Sequence, residues 1–172
     1  MNRLVFVDES GAKTNMTRLR ARAKGGQRVN EHTPGGHWST KTMLGSVRLD
    51  GSTTCMTIDG PTDTPVFRAY VEHLLVPSLN PGDIVVLDNL TPHKDPQAQT
   101  LIQNAGAALM PLPPYSPNLN PIEPMWSKVK SSLRTAKARN EHALNKAIAH
   151  AFQSISLKDI KGWFKHCGYI IC

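Results

Sequence analysis

Two short, wholly apolar runs each close on a carboxylate: Leu4–Val7 leads into Asp8 and Glu9, and Ile84–Leu87 leads into Asp88. A run with no polar face does not suit a sheet that is wet on one side. It reads as a central strand covered on both faces. An acid at the tip of such a strand has the core behind it and solvent in front. If two such strands are neighbours, their carboxylates face one another. At about 4 Å two like unit charges repel by roughly 4 kcal/mol at an effective dielectric of about 20. Such a pair persists only if one acid is protonated or a cation lies between them. Hard divalent cations take oxygen ligands, and Mg²⁺ favours one or two carboxylates together with substrate phosphates.

The rest of the chain supplies the layers such strands need. Residues 10–36 are polar, basic and glycine-rich and read as a long loop with a turn at Thr33-Pro34-Gly35-Gly36. Residues 38–49 and 53–58 read as strands joined by an Asp50-Gly51 hairpin turn. A helix is predicted over 65–75, with Val66, Tyr70, Val71, Leu74 and Leu75 recurring on one side and Thr62 or Asp63 as its cap. A second helix over 96–104 stops near Gly106, and a short strand follows at 107–110. The proline-rich stretch 111–121 is a stiff loop. Asn120 reads as the N-cap of a third helix, with Pro121 at its first position and Ile122, Trp126, Val129 and Leu133 as its buried stripe. Two more helices are predicted over 141–152 and 157–164. The fold class is therefore α/β: a mixed sheet with helices on both faces plus C-terminal helices, in one domain over 1–172. A length of 172 residues agrees with the prior of about 100–200 per domain.

Charge narrows the partners. Twenty Lys and Arg against thirteen Asp and Glu leave a net +7, which points to a polyanion such as nucleic acid. The excess is clustered. Lys13, Arg18, Arg20, Arg22, Lys24 and Arg28 share one acid-free stretch, and Lys128, Lys130, Arg134, Lys137 and Arg139 share another. No apolar run approaches the roughly 18 residues of a membrane span, so no membrane partner is expected. Three cysteines, with no Cys-x-x-Cys pair, argue against a disulfide framework and agree with a reducing cytoplasm.

Glu123 is the third acid of interest. One reading is a capping box, with Glu123 returning to the Asn120 backbone N–H. The other follows its helix face, which continues through Lys130, Arg134 and Lys137. An acid at the tip of a basic stripe suits a metal ligand beside a phosphate track. Weaker candidates surround this trio. Glu9 reads as an outer carboxylate or a solvated strand end, and Asn89 and His93 as DNA contacts or as groups orienting the site. Tyr115 lies in the loop before Glu123, within reach of DNA. Asp59 and Asp63 read as helix caps, and Trp38 and Trp126 as core residues. His32 and His37 lack a second ligand pair for zinc.

Three blocks carry a family resemblance: Phe6-Val7-Asp8-Glu9; Val86-Leu87-Asp88-Asn89 with His93; and Tyr115-Ser116-Pro117-Asn118-Leu119-Asn120-Pro121-Ile122-Glu123 with Trp126, Lys128 and Lys130. Together they resemble the DDE transposases, most closely the bacterial insertion sequence 630 group within the mariner-type superfamily. Thirty-four residues separate Asp88 from Glu123, a spacing found in that superfamily. The resemblance implies a ribonuclease-H-like fold and a site of two Mg²⁺ ions, or Mn²⁺ as substitute, held by Asp8, Asp88 and Glu123. It implies cleavage and transfer of DNA strands at transposon ends, with terminal-repeat and target DNA as partners, a homodimer assembled on DNA, and a nucleoid-associated place in a bacterial cytoplasm. Arg18, Arg20, Arg22, Lys24, Lys128, Lys130, Arg134 and Lys137 would then supply phosphate contacts. Full-length members carry an N-terminal helix-turn-helix region, and nothing in this chain reads as one. Another ribonuclease-H-like nuclease and a non-catalytic DNA-binding remnant are the competing readings.

Overall fold

The computed structural model describes residues 3–30 and 32–170. Its sheet has five strands in the order β3-β2-β1-β4-β5. These are β1 (Leu4–Lys13), β2 (Thr40–Arg48), β3 (Thr53–Asp59), β4 (Ile84–Leu87) and β5 (Ala108–Pro111). β1, β2 and β3 are antiparallel neighbours. β4 runs parallel to β1, and β5 runs parallel to β4. The helices are α1 (Thr64–Tyr70), α2 (Pro96–Asn104), α3 (Ile122–Ala136), α4 (Glu141–Gln153) and α5 (Leu157–His166). A wide turn over Val71–Leu75 and a tight one over Val76–Ser78 extend α1.

Period-two alternation divides the central strands between two cores. Phe6, Met43, Val47 and Val86 join Ile122, Met125, Trp126 and Val129 of α3, together with α4 and α5. Val5, Val7, Leu44, Val85 and Leu87 join Phe67, Tyr70, Val71 and Leu75 below α1, with Ala98 and Ile102 of α2. Both faces are covered, which is why the two central runs carry no polar position before their acids. Glycine allows the closest layer contact. A Cβ on Gly45 of β2 would lie 2.7 Å from the Thr54 carbonyl oxygen and 3.1 Å from the Trp126 ring.

Several elements differ from their sequence-based expectation. β1 does not stop at Asp8. It continues to Lys13 because β2 pairs with it along the whole length, Asp8 opposite Gly45 and Lys13 opposite Thr40. The long loop therefore starts at Thr14 rather than residue 10. Trp38 lies in that loop with half its surface exposed, not in the core, because β2 begins only at Thr40. Asp59 caps no helix; it pairs with Lys41 across the β2–β3 edge at 2.5 Å. Asp63, not Thr62, caps α1 by accepting from the Val66 N–H. Asn120 does not cap α3 with its side chain, and the capping box, the alternative reading of Glu123, is absent, since no side-chain hydrogen bond closes that helix start.

Candidate active site

The site forms where three elements meet. β1 and β4 pair in parallel register through Val5 with Val85 and Phe6 with Val86, so two residues further on Asp8 and Asp88 lie side by side. Glu123 comes from the first turn of α3, which packs on the same sheet face as Phe6 and Val86. Asp8, Asp88 and Glu123 line one cavity of about 450 Å³, with Asn89, Asn120 and Tyr115 at its wall or rim. A larger groove of about 900 Å³ between α3, α4 and α5 holds no acid, so the carboxylate chemistry belongs to the smaller one.

Asp8 is buried, and burial pushes its carboxyl up to about 7. The Glu9 backbone N–H, 2.8 Å from Asp8 Oδ1, works against that rise, while the negative charges of Glu123, Glu9 and Asp88 reinforce it. Asp88 behaves differently. Burial acts to raise it, but a hydrogen bond from His93 and one from the Leu90 N–H outweigh burial and hold it below the usual carboxylate range. Burial would lower His93, yet its bonds to Asp88 and Glu9 push it up to about 9. Two acids on neighbouring strands, Asp8 within β1 and Asp88 just past β4, thus sit in opposed environments, the sort of perturbation that concentrates at functional sites.

A divalent cation suits this donor set. The three carboxylates are hard oxygen donors, and the buried Asn120 Oδ1 has no hydrogen-bond partner among the described residues. No three His, Cys, Asp or Glu side chains among the described residues already close into a metal cage.

The other expected residues are scattered in role. Asn89 spends its amide N–H₂ on the Leu112 carbonyl at 2.8 Å, tying the β4 tip to the segment after β5. Tyr115 is fully exposed, with a left-handed φ of 57° that a non-glycine residue rarely adopts. Arg18, Arg20, Arg22 and Lys24 are exposed in the 14–39 loop. Lys130 and Arg134 lie half-buried on α3. Lys137 stands just past α3 in a left-handed conformation (φ 49°), so it leaves the helical stripe. Lys128 turns to the protein, 2.6 Å from Asp159 on α5. Arg139 likewise donates to the Thr14 and Met16 carbonyls at the loop's base. The sequence reading missed the Glu9–His93–Asp88 chain of hydrogen bonds. Its signal was present: a histidine five residues after a strand-tip acid, ahead of Asp95-Pro96, reads as a turn folding back on the strand.

A five-stranded mixed sheet of this order, flanked by helices, with Asp8 on its central strand and Asp88 just past the end of β4, is a ribonuclease-H-like fold. The chain belongs to the DDE superfamily of endonucleases, whose family model matches residues 3–145. Among solved structures, it is similar to a Mos1 pre-cleavage transpososome (TM-score 0.73, 12% identity, 97% of this chain and 52% of that one). It is also similar to the catalytic domain of Mos1 mariner transposase (TM-score 0.63, 13% identity, 97% of this chain and 76% of that one). The catalytic core of BIV integrase shares the fold at a TM-score of 0.57 and 13% identity, over 90% of this chain and 83% of that one. The chain spans about half the length of the first Mos1 chains it matches, 52%. No curated protein sequence matches it significantly.

Proposed function

We propose that this chain is the catalytic core of a transposase of the insertion sequence 630 type, cutting and joining DNA strands with two divalent cations held by Asp8, Asp88 and Glu123. The observation that carries this reading is the shared cavity: residues far apart in sequence, on β1, β4 and α3, present three carboxylates to one space. Solved complexes of Mos1 transposase include one with Mn and one with Mg, and another holds the left transposon end; these support the choice of cation and of DNA.

Phosphodiester transfer requires an activated water or 3′-hydroxyl, a stabilised leaving oxygen, and an in-line arrangement of both. Bound divalent cations would supply the charge that activates the nucleophile and stabilises the leaving oxygen. The protein's part is to hold the cation ligands and the DNA. Asp8, set within a paired strand, would hold a cation from the sheet itself. Asp88 sits at the tip of β4 and Glu123 on the first turn of α3, on either side of it. Burial raises the Asp8 carboxyl to about 7, so part of the population carries a proton there in neutral solution, which a bound cation would displace. The exposed basic residues of the 14–39 loop, with Lys130 and Arg134 on α3, are placed to contact phosphates without reading bases.

A plasmid-nicking assay tests the reading. Wild-type chain should nick with Mg²⁺ or Mn²⁺ and not in excess chelator. Asp88→Asn should lose nicking by several orders of magnitude while still binding DNA. Equal nicking by both, or nicking that ignores the chelator, would reject it.

A further inference from the structure

We propose that His93, braced by Glu9, is the positioning residue for Asp88, tying down one carboxylate oxygen and leaving the other as the cation-facing atom. This rests on the metal-dependent reading above and assigns a role within that site.

The alternation of β1 sends Glu9 to the face opposite Asp8, the face of Val5 and Val7. His93 comes from the short turn Pro92–Lys94, just beyond the β4 tip, and packs against Phe67 with ring centroids 4.6 Å apart. Its side chain is 1% exposed. Nδ1 lies 2.6 Å from Asp88 Oδ1, and Nε2 lies 3.1 Å from Glu9 Oε2. Both neighbours are carboxylates, which accept, so the ring donates an N–H on each side. Each ring nitrogen is engaged with a carboxylate, so the geometry turns neither of them to a cation.

The consequence falls on Asp88. Its Oδ1 accepts from His93 and also from the Leu90 N–H at 3.0 Å, whereas Oδ2 takes part in neither bond. The terminal torsion of an aspartate is soft and roughly two-fold. Two donors on one oxygen remove that freedom and leave Oδ2 as the atom to face a cation. Mere packing of a buried ring would need Phe67 but not a second carboxylate. Glu9, only 20% exposed at its side chain, fixes the ring's far nitrogen and hence its orientation. Partners of this kind, one bond behind a ligand, change metal affinity by about 10–100-fold when removed.

Mn²⁺ binding to the intact chain, measured by titration calorimetry without DNA, tests this independently of cleavage; circular dichroism checks each variant's fold. His93→Gln should weaken Mn²⁺ binding by about 10–100-fold. Glu9→Ala should weaken it less, and Glu9→Gln should recover most of that loss, because an amide oxygen still accepts from Nε2. Adding Glu9→Ala to His93→Gln should cost much less than Glu9→Ala costs the wild type, because the hydrogen bond to Glu9 reaches Asp88 through the ring. A folded Glu9→Ala with unchanged Mn²⁺ affinity, or additive losses in the double variant, would overturn the proposal. Should His93→Gln not fold, the Glu9→Ala and Glu9→Gln pair decides. Asp88→Asn separates the two levels. If it binds Mn²⁺ as the wild type does, the metal-site reading fails and takes this one with it. If it loses Mn²⁺ while Glu9→Ala does not, only the positioning role fails.

Discussion

Glu123 enters α3 at its first turn with no side-chain hydrogen bond to close the helix start. Its negative charge near the helix N-terminus is worth about 0.3–1 kcal/mol, and its repulsion of Asp8 works against that gain. Glu123→Gln should therefore lower stability by no more than about 1 kcal/mol, measured by urea unfolding. As a cation ligand it contributes several kcal/mol to the transition state, and each 1.36 kcal/mol is about tenfold in rate. Nicking by Glu123→Gln should accordingly fall at least about a thousandfold. Nicking near the wild-type rate would remove Glu123 from the site. Gly45 makes the opposite case, structural before it is chemical. It faces Asp8 across the β1–β2 ladder, and a Cβ there would press on Thr54 and Trp126. Gly45→Ala should cost about 1–3 kcal/mol in the same unfolding measurement, the usual range for overpacking. An unchanged unfolding midpoint would mean that β2 and α3 yield more easily than their contacts imply.

At the scale of elements, α5 is locked to α3 through one carboxylate. Asp159 closes a capping box with Ser156 and also meets Lys128 at 2.6 Å. The Lys128 hydrogen bond, then those of Ser156, hold the Asp159 carboxyl down to about 2. A carboxyl lowered on folding stabilises the protein above its ordinary range and loses that contribution as acid reaches its folded value. The stabilisation is thus present above about pH 4 and fades towards pH 2. Asp159→Asn should cost about 1 kcal/mol at pH 7, as cap removal does, and the penalty should shrink in acid unfolding between pH 4 and 2. A pH-independent penalty would show that the amide loses packing rather than charge. The same contact holds the Lys128 ammonium against Asp159, so Lys128→Ala should reduce DNA affinity less than Lys130→Ala, in binding assays at matched salt.

For the molecule as a whole, one buried ion pair joins the antiparallel half of the sheet to the parallel half. Arg48 at the end of β2 meets Asp83, just before β4, with nitrogens 2.6 and 3.1 Å from its two carboxylate oxygens. Asp83 also accepts from the Asn80 N–H at 2.7 Å, fixing the turn that feeds β4. Arg48→Met should destabilise by about 3–5 kcal/mol, because it leaves a buried carboxylate unpaired. Replacing both, Arg48→Met with Asp83→Leu, should recover much of that loss in thermal unfolding. The net +7 charge acts at the same scale. If six to ten phosphates are neutralised, DNA affinity should fall by about 10³–10⁵ between 50 and 200 mM salt. Charge reversal at Arg18, Arg20 and Arg22 should flatten that slope for every DNA sequence alike. A slope left unchanged would exclude the 14–39 loop from the interface.

Much of this was legible along the chain, because it depends on neighbours in sequence. The apolar runs before Asp8 and Asp88 marked doubly covered strands, Asp50-Gly51 marked the hairpin, and Ile122, Trp126, Val129 and Leu133 marked the buried stripe of α3. The three acids also stood out by position, since burial of their strands and helix is a local pattern. Other features depend on what a distant segment places beside a residue. β1 runs on past Asp8 only because β2 pairs with it, Trp38 is left outside because that pairing ends at Lys13, Asp59 pairs with Lys41 rather than capping a helix, and Lys128 meets Asp159 on another helix. Glu9 and His93, 84 positions apart, meet at Asp88 only because β1 and β4 lie side by side. Hydrophobic period is written in consecutive residues; hydrogen-bond partners across a sheet are not, and folding alone brings them within reach.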